Sequence, residues 1–158
     1  ALEAFYRGTV AEKGAIAYLT PAFFALLRRR LSHRVLAALA HRGDTPVAGA
    51  LFLHKGRALY GRYWGSHEAL DALHFELCYY QPIAWALEHG IERFEAGAQG
   101  EHKLKRGLLP RLCHSAHWLG HAGLSEAVAR YLREEAAGVV ETLAALEAHT
   151  PYPRKSEP

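Results

Sequence analysis

Apolar residues recur at helical spacing at both ends of this chain and at strand spacing between them. Residues 1 to 14 put Leu2, Phe5 and Tyr6 on one face of a short helix. Thr20-Pro21 has the form of an N-cap followed by proline at the first helical position. It opens a second helix through Leu31, whose apolar face is Phe23, Phe24, Leu26 and Leu27. Arg28, Arg29 and Arg30 end that helix, where its dipole favours cations. Three strand-like runs follow, at 35–42, 47–54 and 58–65, joined by Gly43-Asp44-Thr45-Pro46 and Lys55-Gly56-Arg57. Turns this short predict antiparallel hairpins. In the third run strict alternation sets Arg62 on the opposite face from Tyr63.

Residues 68 to 89 carry a central helical pattern, with Leu70, Leu73, Leu77, Ala84 and Leu87 at helical spacing. Pro82 predicts a kink within it, and Gly90 fits the C-cap. A strand at 91–97, a polar stretch, a second strand at 112–120 and a helix from Ser125 to about Leu146 complete the order. The apolar positions of that last helix are Val128, Leu132, Val139, Leu143 and Leu146, with Gly138 a weak point, and residues 151–158 are expected to fray. The pattern predicts an α/β (α+β) fold, a mixed, largely antiparallel sheet with helices on both faces.

Composition adds bounds. At 158 residues the chain suits one domain, drawn over 1–150. Half the residues are apolar and 22% are charged, which excludes a disordered chain. No apolar run approaches the roughly 20 residues that span a bilayer. The net charge of +3 suits anionic partners such as phosphates or RNA. Cys78 and Cys113 form no CxxC pair, so reduced thiols and a cytoplasmic setting are expected. The chain lacks Met entirely, which predicts a piece of a longer protein.

The blocks LYGRYWG (59–65), LHFELCYYQ (73–81), IAWALEHGIERFEAGAQGEHKLKRGLLP (83–110) and SAHW (115–118) closely resemble the FemAB-like family. So does the earlier FY…TV…KG…YLT…FF (5–24). The element order is similar to that of the Gcn5-related N-acyltransferase superfamily. The resemblance implies an acyltransferase-like domain, acting on a cell-wall precursor and forming the C-terminal half of a two-half protein. The better understood Fem relatives transfer an aminoacyl group from charged tRNA to an amine. Their Phe-Lys-x-Gly-Phe-like motif has Leu104-Lys105-Arg106-Gly107-Leu108 as its counterpart here, with Leu for both aromatics. Lys105 then matches a lysine near the substrate's phosphates and the reacting carbonyl. Acetyl-CoA enzymes of the superfamily carry a glycine-rich pyrophosphate turn before the central helix. Here Trp64-Gly65-Ser66-His67-Glu68-Ala69 stands there, with one Gly and an acidic residue. The implied donor is aminoacyl-tRNA or acyl-CoA, with no intrinsic cofactor.

Amide formation needs a base for the attacking amine and fixed cations for the oxyanion. In residues 94–108, Glu95 or Glu101 would be the base, and Lys103, Lys105 and Arg106 the cations, beside Gln99 and His102. The competing reading is a short exposed helix with Glu101 and Lys105 as an i,i+4 ion pair. His74 and Glu76 would form a polar cluster on the central helix, or a structural pair, with Arg62 as a partner for Glu76. Arg62, Tyr63 and Trp64 would wall a sugar or nucleotide, or fill the sheet core. Arg28, Arg29, Arg30 and Arg34 would touch RNA phosphates, or simply end a helix. His114 and His117 alternate across a strand, so no metal is expected.

Overall fold

The computed structural model describes residues 1–97 and 101–148. They fall into two compact units, Ala1–Ala98 and Gln99–Pro158.

In the first unit, helices α1 (Leu2–Glu12) and α2 (Pro21–Leu31) precede strands β1 (Val35–Arg42), β2 (Thr45–Lys55) and β3 (Ala58–Ser66). The cap expected at Thr20 is present, its hydroxyl accepting from the Phe23 amide at 3.3 Å. Leu27 is the buried residue of α2; Phe24 is half-buried, but Phe23 and Leu26 of the expected apolar face are exposed. Gly43 and Gly56 take positive φ in the two hairpin turns, which a side chain would strain. A fourth strand, β4 (Arg93–Glu95), pairs parallel with β3. The sheet order is β1-β2-β3-β4, and the first two pairings are antiparallel.

Both faces of β2 are covered, and its residues 47 to 52 are buried in an unbroken run. Ala48, Ala50 and Phe52 pack with Leu59, Leu77 and Ala86 under the central helical segment. Gly49 lies on the opposite face, where Phe5 and Leu2 of α1 come within about 3 Å of the position a Cβ would take. At Gly65 a Cβ would stand 2.4 Å from the Phe5 carbonyl oxygen, so this glycine lets the α1 backbone rest on β3.

Two irregularities redirect side chains. The β2–β3 register passes from Leu51↔Tyr63 to Phe52↔Gly61, leaving Arg62 as the extra residue of a β-bulge. Strict alternation therefore fails. Trp64 and Leu59 share the helix-side core, Tyr63 packs toward α1, and the Arg62 guanidinium lies over the Tyr63 ring at 5.0 Å rather than on the opposite face.

The second irregularity is in the central segment, which starts at Leu73 and not at residue 68. It comprises α3 (Leu73–Phe75), a π-helical turn (Glu76–Tyr80) and α4 (Gln81–Glu88). Pro82 has no N–H to donate, and the wider turn just before it accommodates that loss. The Gln81 amide accordingly bonds to the Glu76 carbonyl, five residues back. The buried positions are Leu77, Tyr79, Pro82 and Ala86, and from Leu77 the stripe steps by five to Pro82 and then by four to Ala86. The π turn thus shifts the buried stripe, and Leu70, Ala84 and Leu87 of the expected face are exposed.

In the second unit a 3-10 helix (Glu101–Arg106) precedes α5 (Ala122–Ala148). Residues 112–120, expected as a strand, have no regular structure; an alternating pattern becomes a strand only when a neighbour completes its ladder. The long helix starts ahead of Ser125, because His121 caps it: its Nδ1 accepts from the Leu124 amide at 3.2 Å. Val128, Leu143 and Leu146 are half-buried, whereas Leu132 and Val139 are exposed.

Candidate functional site

Strand β4 pairs only with Ala58, Leu59 and Tyr60, so the rest of β3 has no strand on that edge among the described residues. The pairing ends at Tyr60, and at Gly61 the Glu95 carbonyl oxygen is still 3.5 Å from the position of a Cβ. The Arg62 bulge follows at once. A crevice where parallel strands part, at their carboxyl ends, is where open mixed sheets place ligands.

The candidate residues divide between the two sides of the sheet. On the side opposite the central segment, Tyr63 donates to or accepts from the Tyr18 hydroxyl and packs edge-on against Tyr6 at 4.8 Å. Burial, then the Tyr18 hydrogen bond, pushes the Tyr63 phenol up to about 12, so it stays protonated at neutral pH. Arg93 donates to the Tyr60 hydroxyl at 3.1 Å and pairs with Glu95 at 3.0 Å. Arg62, Tyr63 and Glu95 therefore belong to one polar, aromatic surface. On the other side, His74 stands edge-on to Trp64 at 5.3 Å and to Tyr79 at 5.7 Å.

Glu76 is exposed and bonded to Gln81, whose Nε2 donates to its Oε1 at 2.7 Å. An i,i+5 pair is misaligned on an α-helix, and the π turn is what aligns it. The partner of Glu76 is thus Gln81 and not Arg62. Neither Tyr18 nor Arg93 was marked by the sequence. The aromatic content of GAIAYLT and the Arg-x-Glu spacing of β4 were the available signals.

Ahead of the central segment, the junction after Gly65 is occupied by its own chain. Ser66 Oγ accepts from the Glu68 amide at 3.1 Å, and the Glu68 carboxylate pairs with Arg42. Near Gly65, between α1 and β3, the free space is about 10 Å³. An open, mainly apolar groove of about 520 Å³ lies elsewhere, lined by Leu2, Phe24, Leu27, Arg28, Leu39 and Leu51. Of the candidate residues only Arg28, from the arginine run of α2, lines it, and none of those proposed for the transfer chemistry does. At the opposite end of the strands, His54 lies 5.3 Å from Trp85, and Trp85 stacks on His89. Desolvation, then the Arg34 charge, lowers the His54 pKa.

In the second unit the 3-10 turn repeats every three residues, so Lys103 and Arg106 share a face. Both are half-buried, whereas Lys105 is exposed. Desolvation lowers the Lys103 pKa. Gly107 closes the turn at φ 78°, its amide donating to the Leu104 carbonyl at 2.9 Å. Gln99 and the side chains of Glu101 and His102 lie outside the described residues. Among the described residues no group of three or more His, Cys, Asp or Glu is placed to hold a metal. None of their helices is long and apolar enough to cross a membrane.

These features define a mixed α/β protein with an open four-stranded sheet, a split parallel pair and a cationic turn after it. The family profile described as peptidoglycan biosynthesis/recognition matches residues 1–154, and the chain belongs to this FemAB-like family. Membership ties it to peptidoglycan biosynthesis or recognition. Searches of curated proteins and of solved structures return no match.

Proposed function

We propose that this chain is an acyltransferase domain that joins an acyl or aminoacyl group to an amine on a cell-wall precursor. The amine nitrogen attacks the activated carbonyl carbon, and the bond from that carbon to the donor's oxygen or sulfur breaks. The proton passes from the amine through a carboxylate to the leaving group. Lys103, Lys105 and Arg106 supply positive charge to the oxyanion, and Glu95 or Glu101 takes the proton. The Arg93 ion pair already engages the Glu95 carboxylate, which favours Glu101 as the base. The reading rests chiefly on the half-buried Lys103. A cation that has lost part of its water interacts more strongly with developing negative charge. Aminoacyl-tRNA or acyl-CoA is the donor, and no resident cofactor is required.

The same Arg93–Glu95 pair favours a second reading, recognition of a cell-wall fragment without turnover. The test is to offer the full-length protein charged tRNA or acyl-CoA together with amine acceptors, following donor consumption. Transfer requires turnover, and loss of a catalytic cation (Lys103→Ala or Lys105→Ala) should lower kcat by about 10²-fold with acceptor affinity kept. Fragment binding with neither donor ever consumed would replace it with the recognition reading.

A further inference from the structure

Between Glu12 and Asp44 the chain has no acidic residue but six Lys or Arg: Lys13, Arg28, Arg29, Arg30, Arg34 and Arg42. Helix α2 is the centre of this run. Its inward side is Leu27 and the half-buried Phe24, which packs on Tyr6 at 5.7 Å. The other side carries Leu26, which is 46% exposed, with Phe23, 38% exposed, at its border, edge-on to Phe24 at 5.4 Å. Arg30 follows Leu26 by four residues and Phe23 by seven, and Arg29 follows Leu26 by three, so these four share a face. Arg28, Arg29, Arg30 and Arg34 form no ion pair among the described residues. The nearby carboxylate of Glu3, on α1, is itself paired with Arg7 at 3.4 Å. Leu31 is a further exposed apolar side chain at the end of the helix.

A fixed basic surface of this kind calls for an anionic partner, and its exposed apolar residues narrow the choice. RNA phosphates would engage the arginines and leave Phe23 and Leu26 in water. The edge of a bilayer engages both, taking the apolar side chains below the headgroups and the guanidinium groups at the phosphates. We infer that the outward face of α2 is a docking surface for anionic lipid bilayers. It holds the protein on the membrane without spanning it. The inference uses none of the residues assigned to the transfer reaction, so it stands whether or not that reaction does.

Co-sedimentation of the full-length protein with vesicles tests it. One set is pure phosphatidylcholine and the other contains about one-third phosphatidylglycerol. Partition into the anionic vesicles should exceed partition into neutral ones at least tenfold, and added salt should weaken it. Replacing both Arg29 and Arg30 by Gln should lower partition about 30-fold, roughly fivefold for each charge. Leu26→Ser should lower it several-fold. All three positions are exposed, and circular dichroism confirms that each variant is folded; Leu26→Ala replaces Leu26→Ser if the latter unfolds. Failure to bind anionic vesicles at low salt overturns the inference. Loss of binding on the arginine changes but not on the Leu26 change also overturns it, and tRNA binding by the same face would then identify an RNA surface.

Discussion

Residues 1–97 and 101–148 use their apolar side chains in opposite ways. In the first stretch Phe5, Tyr6, Leu51, Phe52, Leu59 and Leu77 are all buried, stacked from α1 through the sheet to the central segment. In the second, the 27-residue α5 has no buried residue, and Trp118 is 89% exposed. Burial contributes about 25 cal/mol per Å² of apolar surface, so the stability of the described chain is concentrated in its first unit. The lesson is that one family match over both units does not make them energetically alike. Of the residues singled out in the sequence, Arg62, Tyr63 and Glu95 belong to the well-packed unit and Lys103 and Lys105 to the thinly packed one.

The two cysteines make the contrast directly measurable, and they carry its largest expected effect. Cys78 lies in the first unit, where burial pushes its thiol up to about 12. Cys113 lies in the second and is exposed. The thiolate is the form that reacts. At pH 8 a shift from 9.0 to about 12 cuts the thiolate fraction roughly 1,000-fold, before any loss of access is added. Iodoacetamide followed by mass mapping should therefore label Cys113 first and Cys78 only after denaturant is added. Equal rates would break the contrast. The same shift implies a pH dependence. A thiol whose folded pKa is raised stabilises the fold below its unfolded pKa, so this contribution is lost as pH climbs from about 9 toward about 12.

Next in size are matched truncations. Leu59 is fully buried in the sheet, and Leu59→Ala should cost about 2–5 kcal/mol in urea unfolding. Val139→Ala on α5 should stay within about 0.5 kcal/mol, because Val139 is already exposed. A cost for Val139→Ala comparable to that of Leu59→Ala would mean that a partner covers α5 in solution.

What the sequence revealed follows the same line. The hairpins were legible because Gly43 and Gly56 occupy turns that need positive φ. The start of α2 was legible because Thr20-Pro21 is local capping chemistry. Residues 112–120 were misread because alternation says nothing about whether a neighbouring strand exists to complete the ladder. At the site, the residue types were legible but their grouping was not. Arg62 was assigned to the wrong side because a bulge adds a residue to one strand only, which periodicity cannot register. Glu76 was matched with the wrong partner for a similar reason, since a π turn changes which residues stand above one another.

The smallest expected effect bears on that π turn, the one break in the central segment of the well-packed unit. Two causes could hold it. One is backbone: Pro82 has no amide to offer Cys78, so the turn widens. The other is the side-chain bond from Gln81 to Glu76, which only a π turn aligns. The bond is exposed and involves one charged group, so its loss in Gln81→Ala should cost no more than about 1 kcal/mol. If Pro82 sets the turn, the Gln81→Ala variant keeps its chemical shifts and amide protection through residues 76–80. The Pro82→Ala variant should instead gain a protected amide at position 82 as the i,i+4 bond forms. The segment would then turn by about one residue, carrying His74 away from Trp64. A Gln81→Ala variant that loses the π-turn signature would give the controlling role to the side chains. The irregularity would then owe its shape to the Glu76–Gln81 pair and not to the proline.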